Sequence, residues 1–205
     1  MLTNSDARAK LLSFLQAESV FHGDFTLSSG TKSTYYVDCK LTTLHPEGAW
    51  LVAQVMHELI QSEAAARAVK INSIGGLTMG ADPIALSVGM YSYWAGDNPP
   101  LRTFIVRKTP KRHGQTKLIE GKFDKGDTVV VLDDVVTGGD STITAINAIE
   151  KEGGTVAFVA VLVDRQQGGR EKIEALGHHV VSAFSRDELI RPDAKSHQTT
   201  DCVAA

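Results

Sequence analysis

Apolar runs of strand length recur along the chain at residues 71–75, 101–106, 128–132, 155–163 and 179–184, and helical spacing fills several of the intervals between them. Their starts fall roughly 25 to 30 residues apart, the length of a strand, a crossover helix and the next parallel strand. That rhythm predicts an α/β domain with a mostly parallel sheet. Pro46 opens a strongly amphipathic segment in which Leu51, Val52, Val55, Met56, Leu59 and Ile60 repeat at helical spacing and belong to the core. A second stripe, Ile143, Ile146 and Ile149, ends at the Gly153–Gly154 stop. Asp82 and Pro83 read as the cap and first residue of another helix, directly after the turn from Gly75 to Gly80. Residues 21–44 alternate short apolar and polar stretches and predict a β-rich annex covering one edge of the sheet.

The most telling chemistry lies at residues 129–141, Val-Val-Val-Leu-Asp-Asp-Val-Val-Thr-Gly-Gly-Asp-Ser. Two adjacent carboxylates close an apolar run, and a glycine turn then opens a helix. In an open α/β sheet the ligand crevice lies beyond the carboxyl ends of the strands, so Asp133 and Asp134 emerge where sugar hydroxyls could donate to them. After Val135 and Val136, the residues Thr137, Gly138, Gly139, Asp140 and Ser141 offer backbone N–H groups and hydroxyls at a helix N-terminus, which suits a phosphate. A capped strand-to-helix turn would explain the glycines alone, but a cap does not require two preceding carboxylates. Dinucleotide and P-loop glycine fingerprints are both absent from the sequence. The loop from Gly75 to Gly80 would give the same sheet edge a second anion-binding turn.

Charge and composition narrow the partners to small molecules. The chain has 205 residues, a net charge of −3 and a pI near 6.2, no footprint for nucleic acid or membrane, and no linker dividing it. Its two cysteines, Cys39 and Cys202, fit neither a metal nor a redox spacing. With a polar start and no membrane-length apolar run, the sequence predicts a soluble cytoplasmic protein built as a single domain over 1–205, with a polar tail at 191–205. Against this mild acidity stands one basic stretch. Residues 107–117 carry five Lys or Arg and His113, and no acidic residue occurs between Asp97 and Glu120. Because the stretch leaves a strand on the edge that carries Asp133, and contains Pro110 and Gly114, it reads as a cationic lid. Closure over a diphosphate would exclude water and stabilise charge on a departing pyrophosphate.

Three segments together carry a resemblance that spans nearly the whole chain. Phe25 to Asp38, including Ser28, Ser29, Gly30, Tyr35 and Tyr36, is similar to a segment that covers orotate; Arg107, Lys108, Lys111, His113 and Gly114 match an R-K-x-x-K-x-H-G catalytic loop; and residues 129–141 resemble the phosphoribosyl pyrophosphate (PRPP) signature of type I phosphoribosyltransferases, with Asp164-Arg165-Gln166 downstream. The family so resembled is that of the orotate phosphoribosyltransferases.

The resemblance implies the type I fold, a central mostly parallel sheet flanked by helices with a small N-terminal hood from residues 1–45. It implies conversion of orotate and PRPP into orotidine 5′-monophosphate and pyrophosphate in de novo pyrimidine (UMP) synthesis, with Mg²⁺ held mainly through PRPP and water. It also implies a homodimer sharing the catalytic loop. Arg107, Lys111 and His113 would act on the neighbour's pyrophosphate, Lys108 on its own. Asp133 and Asp134 would hold the ribose hydroxyls, and Thr137 to Ser141 the 5′-phosphate. Thr137 and Arg165 would position orotate, with Tyr35 and Tyr36 against its ring. Ser28 and Met79 depart from the cations that some members carry there. The neighbouring readings are a phosphoribosyltransferase for another base and a non-catalytic PRPP-binding regulator. A ribose-phosphate diphosphokinase would need a second domain and an ATP site.

Overall fold

A computed structural model of the chain describes residues 3–26, 32–109 and 118–190. Lys111, His113, Ser28 and the polar tail lie outside the described residues. In chain order the elements are α1 (Asn4–Glu18), β1 (Val20–Thr26), β2 (Lys32–Val37), α2 (Lys40–Thr43), α3 (Pro46–Ala66), β3 (Ser73–Leu77), α4 (Ala81–Ala95), β4 (Arg102–Val106), β5 (Ile119–Gly121), β6 (Thr128–Val136), α5 (Asp140–Lys151), β7 (Thr155–Asp164), α6 (Gly169–Glu174), β8 (Val180–Ser185) and α7 (Arg186–Leu189).

The main sheet has the order β5-β4-β3-β6-β7-β8, parallel throughout except for β5, which runs antiparallel to β4. Strand β6 shows why its sequence is an unbroken apolar run. Val130 and Leu132 pack on one side with α3 and α4, while Val129 and Val131 pack on the other with α5. A strand covered on both faces has no polar alternation to display. Each buried Val or Leu side chain contributes about 1.5 to 3 kcal/mol, so the two facing layers hold the sheet edge-on to solvent. The separate β1–β2 hairpin is the expected annex, antiparallel and interrupted by an irregularity between His22 and Phe25.

Several boundaries differ from the sequence reading, each for a local reason. β6 continues through the aspartates to Val136 because Asp133, Val135 and Val136 still pair with β7. The helix after the Gly75–Gly80 turn is capped by Gly80 and starts at Ala81, so Asp82 and Pro83 fall inside its first turn. Pro83 is tolerated there because first-turn N–H groups have no partner within the helix. Asp82 instead accepts a hydrogen bond from the Thr78 hydroxyl at 2.6 Å. Helix α1 was not expected from the sequence. Its fully buried stripe is Ala7, Leu11 and Leu15, with Leu12 and Phe14 partly buried beside it, and it packs on α3.

Strands β3 and β6 are neighbours, yet the chain leaves them in opposite directions: β3 proceeds to β4 on one side and β6 to β7 on the other. Their carboxyl ends therefore part at a topological switch point, the place where an open α/β sheet leaves a crevice.

Candidate active site

At that switch point lies a cavity of about 290 Å³. The β3–α4 turn supplies Thr78, Met79 and Gly80 to its wall; β6 and the start of α5 supply Asp133, Asp134, Val135 and Ser141; Lys108 and Lys40 complete it. The β3–α4 turn does come together with the aspartates, as its place in the sequence suggests. Gly80 is required for this approach. A Cβ there would lie 2.4 Å from a carboxylate oxygen of Asp134 and 3.2 Å from one of Asp133.

The two carboxyl groups are held but not neutralised. Asp133 is 6% exposed; one oxygen accepts from the Thr142 hydroxyl at 2.7 Å and the other from the Asp134 backbone N–H at 3.0 Å. Asp134 is half-buried and accepts from the N–H of Val135 at 2.9 Å. Neither forms an ion pair with a cation among the described residues. Burial, followed by the neighbouring charge of Asp134, pushes the Asp133 carboxyl up to about 7. Such an arrangement favours a ligand that brings hydroxyl donors and positive charge.

Next to them lies the glycine turn that opens α5. Gly139 caps α5 with φ +81°, a conformation suited to glycine, and it packs closely on Gly169, whose own missing Cβ leaves room for the Thr137 carbonyl. Gly138 differs. A Cβ there would meet nothing nearer than an Asp140 carboxylate oxygen at 3.5 Å, so the fold itself does not demand this glycine. Its bareness keeps the space above the helix N-terminus free for a ligand. Ser141 faces the cavity, whereas the Asp140 carboxylate turns to Lys172 at 2.5 Å.

Arg165 follows β7 and is tied to the end of β6 by a 3.0 Å bond from its N–H to the Val136 carbonyl. Its side chain is buried above the Tyr35 ring, 4.9 Å from the centroid, and its Nε and Nη2 have no hydrogen-bond partner among the described residues. A buried guanidinium with open donors is costly unless an anion completes it. Tyr35 and Tyr36 point to opposite faces of β2. Tyr35 is 8% exposed with Arg165, and Tyr36 is 40% exposed between Phe21 and Phe25. Arg107 lies apart from the aspartates, its guanidinium 3.6 Å from Glu120 in a neighbouring hollow that also includes Lys108.

The sequence is 41% identical to orotate phosphoribosyltransferase from Aquifex aeolicus over 186 residues, covering 89% of this chain and 97% of that one. It is also 41% identical to the Streptomyces coelicolor enzyme, over 90% of this chain and 98% of its relative. The chain belongs to the orotate phosphoribosyltransferase family. Among solved structures, orotate phosphoribosyltransferase of Mycobacterium tuberculosis in complex with PRPP superposes with a TM-score of 0.72 at 36% identity, covering 89% of this chain and 98% of that chain. No family model matches the sequence. Adenine phosphoribosyltransferase of Saccharomyces cerevisiae, at 19% identity and TM-score 0.58, shares the fold alone.

Within this orotate phosphoribosyltransferase fold, three contributors to the site escaped the sequence reading. Thr142 gave no signal because a threonine inside a helix is unremarkable until its strand partner is known. From the sequence, Gly80 reads only as part of the second anion-binding turn, not as the residue whose missing Cβ admits the aspartates, and Lys40 draws no reading of its own within the 21–44 annex. Each acquires its role only through packing between elements far apart in the chain.

Proposed function

We propose that the cavity between β3 and β6 is where the chain transfers the 5-phosphoribosyl group of PRPP to orotate, giving orotidine 5′-monophosphate and pyrophosphate in pyrimidine biosynthesis. The observation that carries this is the convergence on one crevice of two carboxyl groups that have no counter-ion among the described residues, with Gly80 of the β3–α4 turn and Ser141 of the first turn of α5. Asp133 and Asp134 accept the ribose hydroxyls, and Thr137 to Ser141 take the 5′-phosphate through backbone N–H groups and hydroxyls. Orotate lies by the β1–β2 hairpin, which serves as its hood, with its carboxylate on Arg165 and with Thr137, Tyr35 and Tyr36 around the ring.

Breaking the ribose C1–oxygen bond leaves positive charge on the sugar and negative charge on the leaving pyrophosphate, so positioning and electrostatics dominate and no covalent nucleophile is needed. The aspartate pair offsets the charge on the ribose as the orotate nitrogen attacks C1. Lys108 meets the pyrophosphate from its own subunit. Arg107, Lys111 and His113 reach it from the partner's β4–β5 connection. Asp133 and Asp134 offer the oxygen donors that Mg²⁺ prefers; the ion would be held mainly through PRPP and water and would neutralise charge on the diphosphate.

A homodimer in the cytoplasm is part of this reading. Leu44, Met79, Leu86 and Ile105 are exposed apolar residues around a hollow of about 400 Å³ beside the β4–β5 connection. A second copy seated there would cover them and bring its loop to this site. Among the described residues no helix is long and apolar enough to cross a membrane.

The test is to mix the protein with PRPP, Mg²⁺ and one base at a time. Loss of orotate absorbance with adenine, hypoxanthine and uracil untouched is the expected result. Consumption of another base in preference, or PRPP binding with no base consumed, overturns the reading.

A further inference from the structure

The Asp133–Asp134 cavity must admit a diphosphate, yet its described lining contains just two cations, Lys108 and Lys40. Lys40 is the first residue of α2, immediately after the hood strand β2 and the fully buried Cys39. Its position is built rather than incidental. One carboxylate oxygen of Asp38 accepts both the Lys40 backbone N–H at 3.1 Å and its ammonium at 2.8 Å, which fixes the start of the side chain and leans it over the cavity. Partial burial works against the charge, but the hydrogen bond the ammonium donates to Asp38 and then the field of Asp134 outweigh it, and the ammonium is held more firmly protonated than usual. The side chain is 41% exposed, so a four-carbon stem can swing its charge from Asp38 to an incoming anion. Met79, on the wall facing it, brings no charge.

We propose that Lys40 binds the diphosphate end of PRPP from the hood side of the cavity, opposite Lys108, and so couples occupancy of the PRPP site to the position of the hairpin that covers the base. This rests on the PRPP-transfer reading above. As Asp38 releases it, the ammonium exchanges one carboxylate partner for the more highly charged phosphoryl oxygens. Half-exposed before binding, Lys40 then links the annex to the sheet through the ligand.

Two substitutions separate a ligand contact from a structural one: Lys40→Met keeps the stem and removes the charge, and Lys40→Arg keeps the charge. Pyrophosphate, PRPP and orotidine 5′-monophosphate are titrated into each protein by calorimetry, alongside orotate turnover. Lys40→Met should weaken pyrophosphate and raise the KM for PRPP by roughly tenfold, with orotidine 5′-monophosphate affinity and Tm unchanged, and Lys40→Arg should restore most of the loss. Unchanged pyrophosphate and PRPP binding in Lys40→Met overturns the inference. So does weakening of orotidine 5′-monophosphate by the same factor, because that ligand has no diphosphate. Wild-type protein that neither binds PRPP nor consumes orotate overturns the underlying transfer reading as well, whereas active wild-type protein beside an unaffected Lys40→Met removes this inference alone.

Discussion

Strand β6 is preceded by one buried aspartate and carries another toward its carboxyl end, and the fold treats the two in opposite ways. Asp127, just before the strand, accepts from the Ser73 hydroxyl at 3.1 Å and the Asp124 N–H at 3.0 Å, and the Arg102 guanidinium sits at 2.5 Å. Arg102 also bridges to Asp124. Here the amino edge of the sheet is closed by its own charges, tying β3, β4 and β6 together. Asp133, at the carboxyl edge and equally buried at 6%, has a hydroxyl and an N–H but no cation among the described residues. The first acid is finished by the chain; the second waits for a ligand. A buried charge left without a counter-ion costs stability, and folds keep such sites where binding repays it.

Substitutions at the carboxyl edge should therefore cost turnover and leave the fold intact. The largest effect is expected for Asp134→Asn. It removes charge that stabilises the sugar in the transition state, and kcat should fall by roughly 100-fold with little change in Tm. Steady-state kinetics beside a melting curve decides it, and a fall in Tm with unchanged kcat per folded molecule would move Asp134 to the structural class of Asp127.

Gly138→Ala should come next. Its Cβ has room in the free protein, so Tm should stay within about 1 °C or rise slightly, while PRPP affinity drops roughly tenfold because the methyl group occupies ligand space. A Gly138→Ala protein that binds PRPP normally would show that the glycine turn is only a helix start.

The smallest effect concerns pH. With the Asp133 carboxyl pushed up to about 7, kcat/KM for PRPP should rise between pH 6 and 8 as that group ionises. Thr142 donates to the ionised form and holds the value down, so Thr142→Val should move the midpoint of that rise to higher pH. A profile identical to wild type would remove Thr142 from the account.

The same contrast explains what could be read from the sequence. Residues 129–141 stood out because two adjacent carboxylates and a glycine turn follow one another directly in the chain, and the parallel sheet was legible because buried strands leave unbroken apolar runs. The closed edge was not legible. Arg102 and Asp127 are 25 residues apart and meet only after the sheet assembles. Strand β5, three residues long at the edge, and α1, with its narrow apolar stripe, also lack a periodic signal strong enough to stand out. Lys40 and Thr142 reach the site from either side of the aspartates, contributed by elements whose approach depends on tertiary packing. Asp82 and Pro83 show the converse: a correct helix with its start displaced, because Gly80 had to face the aspartates and took the cap.

If the two ends of β6 divide structure from function, Asp133→Asn and Asp127→Asn must part company when Tm and orotate turnover are measured side by side at pH 8. An unfolded Asp133 ionises from about 3.8 and the folded one only near 7. The folded state thus binds the extra proton between those values, loses that advantage as pH rises, and carries the full cost of the buried charge above 7. Asp133→Asn should accordingly keep or raise Tm at pH 8, by a margin that shrinks toward pH 4, while losing turnover by roughly 100-fold. Asp127→Asn should lose about 3 kcal/mol of stability and keep its turnover per folded molecule. Wild-type turnover in Asp133→Asn, or a loss of stability there matching that of Asp127→Asn, would contradict the account.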